Sequence, residues 1–147
     1  MKKEHVMKKR VVYFINDMPY SLGFGGKEIQ LEKYRNFLED SYEVVYLDPW
    51  ERIPFEKDAI FHLFGCGKYF DNLIGQIRQK VVNAKIVISP TIYYEKQHIF
   101  QIANKISKII PMATQFDFKQ NIFDKVDVLI PNSHSEKNFI TTVWGEH

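Results

Sequence analysis

Cysteine is almost absent from this sequence: Cys66 is the single one in 147 residues. No intrachain disulfide can form, which fits a reducing compartment and leaves packing to hold the fold. Long apolar runs are also missing, and none approaches the roughly 20 residues that cross a bilayer. The basic start MKKEHVMKKR leads only into VVYFIN, which soon meets Asn16 and Asp17. A secretory signal needs a longer apolar region and a small-residue cleavage site, so the expected location is cytoplasmic. Charge of one sign is scarce too, with a formal net charge of +2. No basic stripe is interleaved with aromatics, which excludes nucleic acid as the expected partner. His, Cys and carboxylate side chains do not fall at ligand spacings, so no metal and no cofactor is predicted. There is no internal repeat, low-complexity tract or linker.

What is present is the composition of a folded domain, with 45% hydrophobic and 26% charged residues. The length suits one domain with a real core and is too short for two ordinary ones. Residues 1–10 read as a basic N-terminal segment and 11–147 as a single domain. Five short runs read as strands: VVYFIN (11–16), EVVYLD (43–48), AIFHLF (59–64), KIVIS (85–89) and VDVLIP (126–131). They are nearly continuous in Val, Ile, Leu and aromatics, the pattern of strands buried on both faces of a parallel sheet.

Between the strands lie segments of helical period. Leu31, Tyr34 and Leu38 share one stripe with Phe37 beside it; Phe70, Leu73, Ile74, Ile77 and Val81 form a second. Ile99, Ile102, Ala103, Ile106 and Ile110 form a third. Spacings of three and four put each set on one side of a helix, and each is expected to face the sheet. A last helix begins at SHSEKNFI, where Ser133 and Glu136 have capping-box spacing. The alternation predicts an α/β fold, a Rossmann-like open parallel sheet with helices on both faces. Ligands of such folds sit outside the carboxyl ends of the strands, which directs attention to loops 17–26, 48–57, 64–68, 89–95 and 131–134.

Several residues in or beside these loops carry chemistry. Gly25 and Gly26 stand before the first helix, whose N-terminal N–H groups and partial positive charge suit a diphosphate. Glycine lets a backbone approach an anion without a Cβ in the way, but it also makes plain turns. GFGG lacks the G-x-G-x-x-G spacing, so a dinucleotide fingerprint is not expected. Lys27 faces an anion or solvent, and Glu28 in the first turn complements the helix dipole or meets a substrate. His62 ends a strand at the cleft edge, where it serves proton transfer or is a satisfied core histidine. Asn132 and Ser133 follow the fifth strand, and capping alone accounts for Ser133. Cys66 reads as an ordinary loop thiol and His98 as a surface residue.

In four stretches the chain resembles the N-terminal half of a family 4 (group 1) glycosyltransferase, a two-domain GT-B enzyme. FGGKEIQLEKY is similar to the family's Gly-Gly-x-Glu pattern opening helix one. DAIFHLFG is similar to the D-I-V-H-x-H-x-G strand, with Asp58, His62 and Gly65 matching and Phe64 where a second histidine often stands. KIVISPTIYY resembles the strand P-V-V-x-T-x-H-G-Y, with Thr91 near the position of the family's catalytic-site histidine. FDKVDVLIPNSHSEKNFI resembles A-D-x-V-I-x-x-S-e-x, with Asp127, Ser133 and the terminal Trp144-Gly145 fitting.

The resemblance implies one half of a GT-B architecture and a retaining transfer of a sugar from a nucleotide sugar to a glycan or lipid-linked acceptor hydroxyl. It implies contacts to substrate from Gly25, Gly26, Lys27, Glu28, Gly65, Asn132 and Ser133. For catalysis it offers only His62 and Thr91 as candidates, and a threonine hydroxyl hydrogen-bonds but is no general base near neutral pH. The family's C-terminal donor domain, with its paired-glutamate motif, is not among these 147 residues, so the chain alone is expected to be inactive. Relatives that use lipid-linked acceptors, together with the basic start and the lysines at 96, 105, 108 and 119, raise peripheral membrane contact beside a solvated face. Two rivals stay open: a non-catalytic Rossmann-like partner or degenerate domain, which Phe64 and Thr91 favour, and an unrelated flavodoxin-like or nucleotide-binding domain.

Overall fold

A computed structural model of the chain describes residues 8–15, 25–48, 57–92, 102, 106 and 115–145, without the side chains of 115–117. Among the described residues five parallel strands form one sheet: β1 (Lys9–Ile15), β2 (Tyr42–Tyr46), β3 (Ile60–Phe64), β4 (Lys85–Ser89) and β5 (Val128–Leu129). Their spatial order is β2-β1-β3-β4-β5, so the direction of winding reverses between β1 and β3. The described helices are α1 (Gly26–Leu38), α2 (Tyr69–Lys80), α3 (Gln115–Phe123) and α4 (His134–Trp144). The open, all-parallel α/β sheet expected from the sequence is the fold. None of the described helices is long and apolar enough to cross a membrane.

Register explains how two cores arise from one set of strands. Val12, Phe61 and Ile86 lie side by side across β1, β3 and β4, as do Phe14, Leu63 and Ile88. These six residues pack with Phe70, Leu73, Ile74 and Ile77 of α2, Ile122 and Phe123 of α3, and Phe139, Ile140, Val143 and Trp144 of α4. The alternate residues Val11 and Tyr13 turn to the opposite face and pack on Leu31 of α1, with Tyr34 and Leu38 half-buried beside it. Full burial of one such aliphatic or aromatic side chain is worth about 1.5–3 kcal/mol, so α2 is anchored by its apolar stripe far more than by its capping. β2 is an edge strand, only half-buried along its length. That is why its apolar run is not the mark of burial on both faces that it was in β1 and β3.

Other expectations change in detail. Helix α3 was not anticipated, because its described apolar residues Phe118, Ile122 and Phe123 make too short a stripe to stand out. The third predicted stripe lies outside the described residues except for Ile102 and Ile106. Both are helical in conformation, and they are 58% and 49% exposed rather than turned into the core. A spacing of four fixes that two residues share a side of a helix, not that this side meets the sheet. Lys119, expected on a solvated face, is buried, with its ammonium 5.9 Å from the centre of the Trp144 ring. The lysines at 96, 105 and 108, His98 and residues 1–7 lie outside the described residues.

At the amino ends of β4 and β5 the fold is tied by charge. Asp127 accepts from Ile86 N–H (2.8 Å), Arg78 (2.7 Å) and Lys85 (3.2 Å). Burial alone would raise its pKa, but these donors outweigh it and hold the carboxyl below the usual range. Arg78 also donates to the carbonyls of Ala84 and Lys125, and Lys125 pairs with Asp71 of α2 at 2.6 Å.

Candidate functional site

A cavity of about 710 Å³ opens at the carboxyl ends of the strands, against α1. Gly26, Lys27, Ile29, Gln30, Lys33 and Tyr34 of α1 form one side, and Thr91, Pro131 and Asn132 the other. Gly26, Lys27, Thr91 and Asn132, expected from three separate stretches of sequence, therefore meet around one space. Gln30, Lys33 and Tyr34 were not foreseen as site residues. By its spacing Tyr34 belongs only to the apolar stripe of α1, and polar residues on a helix give no sign of which way they face.

The two sides are joined by a chain of side-chain hydrogen bonds. Gln30 donates from Nε2 to Asn132 Oδ1 at 2.5 Å, and Asn132 donates from Nδ2 to Thr91 Oγ1 at 3.3 Å. The Thr91 hydroxyl donates at most weakly, to Ser89 carbonyl at 3.5 Å, which leaves its proton available to a ligand. Thr91 has φ +53, a left-handed conformation that is a true outlier for a β-branched residue. Such a backbone costs about 1–3 kcal/mol and persists only where its surroundings impose it.

Behind this wall lies Glu136, 6% exposed. One carboxylate oxygen accepts from the Ile92 N–H; the other accepts from the Asn132 N–H at 2.5 Å. Its own N–H donates to Ser133 Oγ at 3.1 Å, which is the capping of α4 that the sequence predicted. The returning half of the box is not made to Ser133: the Glu136 side chain is diverted to the neighbouring loop. Ser133 is thus a cap and does not line the cavity. Glu136 had a visible signal in its capping spacing, but no signal of this second task.

The predicted glycines separate by role. Gly25 caps α1, and its N–H donates to Glu28 Oε2 at 2.9 Å. That carboxylate puts negative charge where an anion was expected to meet Gly25, so both Gly25 and Glu28 are reassigned to capping α1. A Cβ built on Gly26 meets nothing within 4 Å among the described residues, so none of them requires glycine there. Gly65, with φ +114, does need to be glycine, and a Cβ would stand 3.3 Å from Phe70. Its N–H donates to Ser89 carbonyl at 2.8 Å; its role is to turn β3 into α2, away from the cavity wall.

His62 is a core residue rather than a wall of the cavity. It is 5% exposed, hydrogen-bonded between Nε2 and Ser89 Oγ at 2.9 Å, and surrounded by Tyr13, Tyr34 and Phe64. Burial pushes its pKa down to about 4, so it is neutral near physiological pH and closed off from a reacting group. Tyr13 beneath it is fully buried with no hydrogen-bond partner for its hydroxyl among the described residues, and burial pushes the phenol up to about 12. Cys66 lies in the loop after β3, as expected, and is buried; burial raises its thiol to about 11, which leaves it inert.

The cavity therefore presents two lysines, two amides, the hydroxyl-bearing Thr91 and Tyr34, and the first turn of a helix. No carboxylate or imidazole is among its described lining residues. This arrangement can bind and orient a ligand rich in hydroxyl or phosphate oxygens, and its described lining residues include no general base for neutral pH. Searches against protein-family models, curated proteins and solved structures found no match to this chain.

Proposed function

We propose that this chain is the N-terminal, acceptor-side domain of a retaining GT-B glycosyltransferase, which moves a sugar from a nucleotide sugar to a hydroxyl of a glycan or lipid-linked acceptor. The observation that carries the reading is the convergence of Gly26, Lys27, Thr91 and Asn132 on one cavity at the carboxyl ends of the strands. Three of the four stretches on which the resemblance rests supply them. Lys27, Lys33 and the positive end of the α1 dipole favour phosphate oxygens. Gln30, Asn132 and Thr91 suit hydroxyl groups. The leaving diphosphate needs further fixed dipoles and cations, which in this reading come from a C-terminal domain.

The test is titration of uridine diphosphate glucose and guanosine diphosphate mannose into the 147-residue chain and its Gly26→Val variant, by calorimetry. The variant adds a side chain that meets none of the described residues, so its stability should stay within about 1 kcal/mol of wild type. Its affinity for the nucleotide sugar should fall about tenfold, roughly 1.4 kcal/mol. No binding to wild type, or equal binding to both proteins, would remove the reading.

A second reading, a non-catalytic partner domain, is favoured by the absence of an acid or imidazole among the described wall residues. The two diverge on joining the chain to a donor domain: the first predicts turnover sensitive to Gly26→Val, the second none.

A further inference from the structure

We propose that Glu136 is the positioning residue of this site, setting its ligand-facing wall through the backbone of two loops without touching the ligand. The inference rests on the reading that the cavity receives a nucleotide sugar or its acceptor. Thr91 and Asn132 each follow a proline, Pro90 and Pro131, whose ring fixes the approaching backbone. On the far side of each proline, the Glu136 carboxylate takes one N–H: that of Ile92 just after Thr91, and that of Asn132 itself. Each wall residue is therefore held between a locked ring and an anchored amide. The positive φ of Thr91 sits inside this restraint, as does the 3.3 Å contact from Asn132 Nδ2 to Thr91 Oγ1.

The geometry differs from simple helix capping in a way that gives it a purpose. A glutamate at the third position of a helix ordinarily returns to the N–H of the cap residue. Here both oxygens leave that path, and one crosses to a loop 44 residues earlier in the chain. The carboxylate lies buried with both oxygens occupied by backbone donors, so its negative charge is committed to those amides. What this wall turns to the cavity is neutral: the Asn132 amide, bonded across to the Gln30 amide of α1, and the Thr91 hydroxyl. Such groups recognise ligand hydroxyls by fixed direction, and a shift of a few tenths of an ångström between the loops would misalign them.

Glu136→Gln is the informative change, because the amide keeps the size, accepts one N–H and opposes the other with a donor. Amide hydrogen exchange would be read at Ile92 and Asn132 in the nitrogen-15-labelled chain, with uridine diphosphate glucose and guanosine diphosphate mannose titrated as probes. Arg78→Met is the control; it loosens the fold at the opposite end of β4 and leaves the cavity intact. The expected result is at least tenfold faster exchange at one or both amides and about tenfold weaker probe binding in Glu136→Gln. Arg78→Met should keep both, even at equal loss of thermal stability. Unchanged protection at Ile92 and Asn132, unchanged probe binding in Glu136→Gln, or an equal loss of binding in Arg78→Met would each overturn the proposal. If wild type binds neither probe, the proposed function fails by itself. The exchange measurement then decides the clamp alone: faster exchange in the variant upholds it and unchanged exchange ends it.

Discussion

Acidification from about pH 7 to about pH 5 should destabilise the protein through His62, by an amount that the burial of this one ring sets. Native His62 has its pKa pushed down to about 4, against an ordinary value of 6.5 for an exposed imidazole. Its folded pKa is the lower one, so stability is fully present above the unfolded pKa and is lost as pH falls from there towards about 4. At about pH 5 the unfolded imidazole is almost fully protonated, whereas the native ring carries about a tenth of a proton. Linkage then gives a loss of about 2 kcal/mol relative to pH 7, rising to about 3 kcal/mol below pH 4. Urea unfolding of wild type at the two pH values reads this difference directly. The reference is the double variant His62→Phe with Ser89→Ala, which removes the imidazole and the hydroxyl bonded to it and leaves no orphaned polar group. Its stability should change by about 2 kcal/mol less than that of wild type over the same interval. Equal pH dependence in the two proteins would refute the argument and would mean that His62 is reached by water in the native state.

Three further outcomes follow from single positions. Gly65→Ala should cost about 2 kcal/mol or more, read as a lowered urea midpoint, because φ +114 and the 3.3 Å approach to Phe70 both oppose a Cβ. Thr91→Gly should be more stable than Thr91→Val by about 1 kcal/mol in thermal unfolding, since glycine accepts φ +53 and valine keeps the strain while losing the hydroxyl. Both variants should bind nucleotide sugars more weakly than wild type. Tyr13→Phe should leave stability unchanged or raise it by up to about 1 kcal/mol, because it deletes a buried hydroxyl that lacks a partner among the described residues; a loss of more than 1 kcal/mol in chemical denaturation would contradict that.

Apolar runs read directly as β1, β3 and β4, because residues buried on both faces of a sheet must nearly all be apolar. β2 shares the run without the burial, and only its place at the sheet edge distinguishes it. The capping pair Ser133 and Glu136 was legible as the start of a helix, since that is a local matter of four residues. The reach of Glu136 to Ile92 was not, because it depends on β4 and β5 being neighbours. His62 shows the same division: its position at the end of a strand was visible, but whether it faced solvent or the underside of α1 was not.

Periodicity and turn chemistry act between near neighbours, so the class of fold, the parallel strands and the loops at which a site should lie are legible in the chain alone. Which residues of those loops meet depends on how the whole chain packs. That packing turned Gly25 and Glu28 inward on each other, set His62 into the core, and brought Gln30, Thr91 and Asn132 across a single cavity. The physical reason is that strand order and register fix the contacts between loops, and these are set by the packing of two cores on opposite faces of the sheet rather than by any local stretch of chain.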